Sequence, residues 1–176
     1  ENAHVRRIPR RSRVVVSFVV SGIFVVAVAA AGWMWGPSVY RALVPQFAAT
    51  QLTLTLEDDT TTATVEVPQG WSYRLPFNDP AGVDLTSPDG ELEVGLRLHA
   101  QTDAETAIAE SAPGGFGVLN VEQSTNGELL HAQTTDGAAV VGGLAVGPHT
   151  VSFVSSSAPE YGAELARLLA GMRIEP

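Results

Sequence analysis

The sequence predicts an α+β protein: an N-terminal single transmembrane helix, then an antiparallel β-sheet domain with a short middle helix and a C-terminal helix packed on the sheet. Three observations predict it. Residues 14–35 contain no charged side chain. Several later segments alternate apolar and polar residues with the period of two that half-buried strands show. The last segment instead places apolar residues at helical spacing.

The uncharged run of residues 14–35 is long enough to cross a bilayer as a helix, since a rise of about 1.5 Å per residue matches a hydrocarbon core of about 30 Å. The residues before it, 1–13, are basic, and the positive-inside rule therefore predicts a cytoplasmic tail and an extracytoplasmic C-terminal domain in a single-pass cell-membrane protein. The arginines that carry this topology signal are Arg6, Arg7, Arg10, Arg11 and Arg13. The aromatic residues expected at the outer membrane interface are Trp33, Trp35 and Tyr40.

A cleavable signal peptide is the alternative interpretation, because residues 27–31 repeat the small-x-small pattern of a cleavage site. The apolar run is longer than the 7–15 residues usual for a secretory segment, which favours a retained anchor that holds the chain in the lipid bilayer. Gly36-Pro37 should end the membrane helix. We therefore expect a connector over residues 36–50 and one extracytoplasmic domain over residues 51–176.

Charge is distributed unevenly behind a formal net charge of −9. Residues 1–13 hold five arginines and one glutamate, whereas residues 51–176 hold four arginines and eighteen acidic residues. An acidic domain of this kind repels nucleic acid, so no nucleic-acid partner is expected. The chain has no cysteine, which excludes disulfides and thiolate metal sites. Lysine is absent while Ala, Val, Gly and Arg are frequent, a composition typical of a high-GC, actinobacterial genome.

The alternating segments predict a sheet of about six or seven strands. Leu52–Leu56 and Ala63–Val67 should form a hairpin around the polar residues 57–62, and Leu92–Leu98 gives the clearest strand. Asp136-Gly137 is a strong hairpin signal between two of the later strands. Those later strands are predicted over Glu128–Thr134, Ala138–Leu144 and His149–Ser155.

Two helices are predicted from capping boxes. Thr102–Glu105 has the Thr-x-x-Glu form and should start a short helix that ends before Pro113. Ser157–Glu160 has the corresponding Ser-x-x-Glu form and should start the last element of the chain. The apolar stripe of that final helix consists of Tyr161, Leu165, Leu168, Leu169 and Met172.

With these elements in place, the outer domain resembles the PsbP-like family. The resemblance rests on the strand-to-turn segment Val65–Trp71, on the amphipathic strand Leu92–Leu98 with its following capped helix, and on the hairpins of residues 128–155 leading into a terminal helix. It implies an antiparallel sheet covered by helices, and accessory or binding roles in membrane or envelope complexes. No site motif of the family is matched, so the resemblance assigns no functional residue.

No catalytic, cofactor or metal signature is found, and no cofactor is expected. The histidines outside the tail, His99, His131 and His149, should each sit alone on a strand or turn. Residues 57–59 lack the alternate spacing of a Ca²⁺ loop, and the acidic residues between 79 and 91 suggest at most a weak ion site. Gly114–Gly117 lacks the lysine of a phosphate loop.

The densest aromatic cluster of the outer domain is Trp71, Tyr73 and Phe77. Core packing is the plain interpretation, and contact with a partner is the functional one, because Trp and Tyr dominate interface hot spots. The leading hypothesis is a non-enzymatic accessory subunit that binds an integral-membrane or envelope protein. A small-ligand or lipid-binding protein is the alternative, and an envelope hydrolase comes third.

Overall fold

The computed structural model describes residues 43–77, 79–156 and 159–175. The predicted cytoplasmic tail, the transmembrane run of residues 14–35 and the interface aromatics lie outside these residues. Within the described ranges, no helix is both long and apolar enough to cross a bilayer. Residues 41–176 form one compact unit.

The described residues form an α+β domain that is mainly β, with antiparallel strands and two helices, as the coarse prediction expected. The eight-stranded sheet has the order β1-β4-β5-β6-β10-β9-β8-β7, and the three-stranded sheet has the order β11-β3-β2. The strands are β1 (Gln46–Phe47), β2 (Leu52–Asp58), β3 (Thr61–Val67), β4 (Ser72–Arg74), β5 (Gly82–Thr86), β6 (Glu93–His99), β7 (Asn120–Ser124), β8 (Gly127–Gln133), β9 (Ala139–Val146), β10 (His149–Ser156) and β11 (Arg173–Glu175).

The hairpins with strong apolar alternation are confirmed. Strands β2 and β3 pair from Leu52↔Val67 to Asp58↔Thr61. Their turn is therefore narrower than predicted, with only Asp59 and Thr60 between the paired residues. Gly137, at a φ of 71°, completes the turn between β8 and β9 in a conformation that favours glycine.

The prediction of a single sheet with six or seven strands was wrong, since the strands form two sheets. Three short strands were not predicted, because they carry little apolar alternation. Strand β1 lies inside the predicted connector of residues 36–50, and the buried Ala48 follows it directly. Strand β7 is exposed along most of its length. Strand β11 follows the last helix, which is thus not the final element, and it pairs with β3.

Both helices exist, but their caps differ from the predicted boxes. Helix α1 spans Ala104–Ser111, and its N-cap is Asp103, whose carboxylate accepts from the Thr106 N–H. Helix α2 spans Gly162–Ala170 and follows a 3₁₀ turn over Pro159–Tyr161, so no side-chain cap is formed at its start. The proline-containing segment tightens into that turn instead of starting the α-helix.

The two faces of the eight-stranded sheet are covered differently. On one face, Leu96, Leu144 and Phe153 belong to the main core together with residues of the three-stranded sheet and with Leu168 of α2. We call this the apolar face. On the other face, Ile108 of α1 packs with Val141 in a second, smaller core. We call this the α1 face.

Gly142 of β9 allows the sheet to hold the Phe153 ring. A Cβ atom at position 142 would lie 2.5 Å from Phe153 Cζ and would also collide with the Leu130 carbonyl oxygen. Real Cβ atoms do not approach other atoms this closely, so glycine is required by space at this position. The ring of Phe153 is 1% exposed as a result of this close packing.

Candidate functional site

The three aromatic residues predicted as partner contacts are placed in three different environments. Trp71 is 5% exposed and is part of the main core. Tyr73 is half-buried, and its hydroxyl donates to Gln46 Oε1 at 3.0 Å. Phe77 is 47% exposed. Only Phe77 therefore offers a largely accessible ring, and the predicted arginine and aromatic residues of the membrane region lie outside the described residues.

The three histidines lie on three separate strands, as expected, but each one contacts a polar side chain from another element. His131 Nε2 lies 3.3 Å from Glu122 Oε1, and His149 Nδ1 lies 2.9 Å from the Thr61 hydroxyl. His99 is buried and contacts side chains from two other elements. The pairing of strands and the packing of a helix bring these side chains together, and the spacing of the residues in the sequence does not predict the contacts.

A cluster of four side chains connects α1 to the sheet beneath it. His99 Nε2 lies 2.9 Å from Ser152 Oγ, and His99 Nδ1 lies 3.4 Å from Glu110 Oε2. Ser152 Oγ also lies 2.7 Å from Ser111 Oγ. Strands β6 and β10 thus supply His99 and Ser152, while α1 supplies Glu110 and Ser111. We call these four residues the Ser-His-Glu cluster.

A single proton arrangement can satisfy the whole cluster. When the neutral ring carries its proton on Nδ1, on the side of Glu110, Nε2 is free to accept from the Ser152 hydroxyl. The Ser111 hydroxyl then donates its one proton to Ser152, and the Ala107 carbonyl, 3.0 Å away, is the alternative acceptor for that proton. No buried side-chain nitrogen or oxygen within the described residues lacks a partner.

Burial lowers the pKa of His99, because the cationic imidazolium loses hydration there. The nearby carboxylate of Glu110 opposes this shift and Arg97 reinforces it, but the net direction is downward. The imidazole is therefore neutral at neutral pH, which agrees with the arrangement in which Nε2 accepts from Ser152.

The cluster has the residue types of a serine hydrolase triad but lacks what the chemistry requires. Ser152 is only 1% exposed, so a substrate carbonyl has no access to its hydroxyl. Strand β10 is paired on both sides, with β6 and β9, so the backbone N–H groups around Ser152 belong to the sheet ladder. None remains as an oxyanion hole. The cluster therefore fits a structural role that holds α1 against the sheet.

The acidic residues are dispersed into separate local contacts. Asp84 pairs with Arg74 at 2.9 Å, and Asp79 pairs with Arg97 at 3.1 Å. The Ser87 hydroxyl, followed by the Tyr161 hydroxyl, lowers the pKa of Asp89 to about 2. Among the described residues, no three His, Cys, Asp or Glu side chains are placed to hold one metal ion.

An apolar concave surface lies between α2 and the apolar face of the sheet. This groove has a volume of about 530 Å³, within the range of small-molecule sites. Its mouth carries the Glu122–His131 contact. The apolar side chains that line the groove are Leu129, Val140, Leu144, Phe153, Leu165 and Leu169.

The groove opens beside strand β7, which is the last strand of the eight-stranded sheet. Residues 122–125 of β7 and its following turn form one wall. Val118, just before β7, is 87% exposed, and Val121, in β7, is 55% exposed. Val121 pairs with Leu130 of the smaller core, so it lies on the α1 face of this edge, opposite the groove. An edge with free backbone groups and exposed apolar residues can pair with another chain. The sequence signal for the groove is limited to the stripe of α2, because β7 shows no apolar alternation.

Comparison with known proteins provides no relative for this chain. It matches no protein-family model, no curated protein and no solved structure. The resemblance to the PsbP-like family therefore stays a prediction from sequence.

Proposed function

We propose that the chain is a non-enzymatic, single-pass membrane protein whose acidic outer domain binds a protein partner, as an accessory subunit of a membrane or envelope complex. The observation that carries the proposal is the open β7 edge beside the apolar groove. Monomeric domains usually cover or charge such an edge. At the β7 edge of this domain, Val118 and Val121 remain exposed.

Binding would use the two parts of this surface together. An extended segment of the partner would pair with the free backbone groups of β7 and direct alternate apolar side chains into the groove. Glu122 lies in β7 and Glu128 in the neighbouring β8. Residues 51–176 contain eighteen acidic residues and only four arginines. A partner segment with basic residues at its solvent-facing positions would be attracted by this charge.

The membrane anchor in this proposal is supported by the sequence of residues 14–35 and by the basic residues before them. The absence of enzymatic activity is supported by the burial of Ser152 and by the occupied backbone around it. The PsbP-like resemblance adds a role as an accessory protein and no catalytic one.

The test uses two arginine substitutions on the same helix. Ala166 lines the groove, whereas Ala163 is equally exposed on α2 but does not line it. The full-length protein would be purified by affinity in mild detergent, with mass spectrometry of the proteins that come with it. We expect a stoichiometric membrane or envelope protein with the wild type and with Ala163→Arg, and its loss with Ala166→Arg. Purification of the wild type as a lone monomer would contradict the proposal.

The groove also favours a second candidate, a small-ligand or lipid-binding protein, because its volume of about 530 Å³ suits an apolar ligand. Native mass spectrometry of the full-length protein in detergent distinguishes the candidates. A small molecule that stays bound to the wild type and to Ala163→Arg, but not to Ala166→Arg, would support ligand binding.

A further inference from the structure

The edge of the eight-stranded sheet opposite β7 carries a second exposed apolar segment. Leu43 is 72% exposed, Val44 is 37% exposed and Phe47 is 77% exposed. All three lie within five consecutive residues, and Phe47 belongs to the edge strand β1. Large apolar side chains gathered on an edge in this way mark a contact surface.

This segment is held firmly to the rest of the domain. The Ala48 N–H donates to the Trp71 carbonyl at 2.8 Å, and the Gly70 N–H donates to the Ala48 carbonyl at 2.8 Å. The Tyr73 hydroxyl donates to Gln46 next to Phe47. The backbone of β1, which carries Phe47, is therefore fixed at this edge of the sheet.

Two features of the chain point to lipid as the occupant of this edge. Only seven residues separate Trp35, the end of the proposed anchor, from Leu43. An extended chain covers at most about 3.3–3.6 Å per residue, which keeps Leu43 within about 29 Å of the end of the anchor. Residues 36–56 contain Arg41 and no acidic residue, whereas every acidic residue of the outer domain lies at or after position 57. The part of the domain nearest the anchor in sequence thus lacks the negative charge that anionic headgroups repel.

We propose that Leu43, Val44 and Phe47 insert into the outer interfacial layer of the bilayer and so orient the domain on the membrane. Apolar side chains of interfacial segments enter about 5–10 Å into the boundary between headgroups and acyl chains. The inference rests on the proposed anchor. It places the β7 edge away from the lipid, since seven inter-strand spacings of about 4.8 Å separate the two edges by about 34 Å.

The test uses the fact that the chain has no cysteine. Single cysteines at Phe47→Cys, Val121→Cys and Val25→Cys would each carry an environment-sensitive fluorophore in the full-length protein, reconstituted in phosphatidylcholine–phosphatidylglycerol bilayers. Position 121 is the matched control, because it is an exposed apolar residue on the opposite edge strand of the same sheet. Position 25 reports on the proposed anchor itself. Lipids with nitroxide quenchers at shallow or deep positions locate each label.

The expected result is quenching of the label at 47 by the shallow quencher, quenching at 25 by the deep quencher, and no quenching at 121. Deep quenching at 25 without quenching at 47 overturns this inference and leaves the anchor intact. No quenching at 25 overturns the anchor and the inference together. A label at 47 that is shielded from water but not quenched by lipid means that a protein, either a second copy or a partner, covers the edge, and this also overturns the proposal.

Discussion

Ser152 and Phe153 are neighbours on β10, yet they serve the two faces of the eight-stranded sheet in different ways. Phe153 enters the main core, where twenty buried residues pack together, whereas the core on the α1 face contains only four. Ser152 joins a hydrogen-bonded cluster with His99 and the end of α1. Stability therefore comes mainly from the apolar face, and the position of α1 depends on directional polar contacts.

The largest effect is expected on the apolar face. Phe153→Ala removes a fully buried ring and leaves a cavity next to Gly142, so the free energy of unfolding should fall by about 3–5 kcal/mol. Urea-induced unfolding followed by circular dichroism measures this loss. Val121→Ala, at an exposed edge position, should stay within about 0.5 kcal/mol of the wild type. If Phe153→Ala lowered the free energy of unfolding no more than Ser152→Ala does, the two faces would not differ in their contribution to stability.

A smaller effect is expected on the α1 face. Ser152→Ala leaves His99 Nε2 without its partner in a buried place, so the free energy of unfolding should fall by about 1–3 kcal/mol. In a His99→Phe background the same change should have a smaller effect, because no unpaired nitrogen remains. A double-mutant cycle on the two positions measures that coupling. Strictly additive effects would show that the two side chains do not depend on each other.

The α1 face should also make stability depend on pH. His99 has a pKa below its unfolded value of about 6.5, so the unfolded chain binds a proton that the folded chain does not. Stability should therefore fall as the pH drops below about 6.5 and level off below the folded pKa. The charged groups that face His99 are Glu110, Arg97, Asp58 and Asp79.

The comparison of wild type with His99→Gln isolates this contribution, since both proteins keep those charged groups. The difference in their unfolding free energies should shrink between about pH 7.5 and about pH 5, because only the wild type loses stability through His99. A difference that is constant with pH would mean that His99 is not held neutral by burial.

The smallest effect is expected at the start of α1. Asp103 is the exposed N-cap, and hydrogen bonds from the N–H and hydroxyl of Thr106 lower the pKa of its carboxyl group. Asp103→Ala should lower the melting temperature less than Ser152→Ala does, and Asp103→Asn should keep most of the cap. Thermal unfolding at neutral pH compares the three variants. An Asn variant as unstable as the Ala variant would argue against capping by a side-chain oxygen.

Elements that bury one apolar face were predictable from the sequence. The alternation in Leu52–Leu56 and Leu92–Leu98 predicts real strands. The helical stripe predicts a real helix, although its end residues Tyr161 and Met172 lie outside α2. Strands β1 and β7 were missed because backbone pairing, and not an apolar face, holds them in place. Strand β11 was missed because it is three residues long and buries only Ile174, which is too little for an alternating pattern. Whether alternating strands join one sheet or two depends on contacts far apart in sequence, which no local pattern contains.

The Ser-His-Glu cluster was not predictable as a unit, because position 99 and position 152 meet only through the pairing of β6 with β10. One signal was available: Ser152 is a small polar residue between the large apolar residues Val151 and Phe153 in the middle of β10. The groove was even less predictable from the sequence, because one of its walls is the polar strand β7. Burial of Trp71 shows the reverse case, in which an aromatic cluster suggests a contact surface and supplies part of the core.

Gly142 carries a consequence for tracing the ancestry of this chain. A Cβ atom at position 142 would collide both with the Phe153 ring and with the carbonyl oxygen of Leu130. Because that carbonyl belongs to the backbone of the neighbouring strand, a smaller residue at position 153 would not make room for a side chain at position 142. Any descendant of the same ancestor that keeps this strand pairing must therefore keep the glycine, which makes position 142 an evolutionary fingerprint that remains recognisable after the surrounding surface residues have diverged.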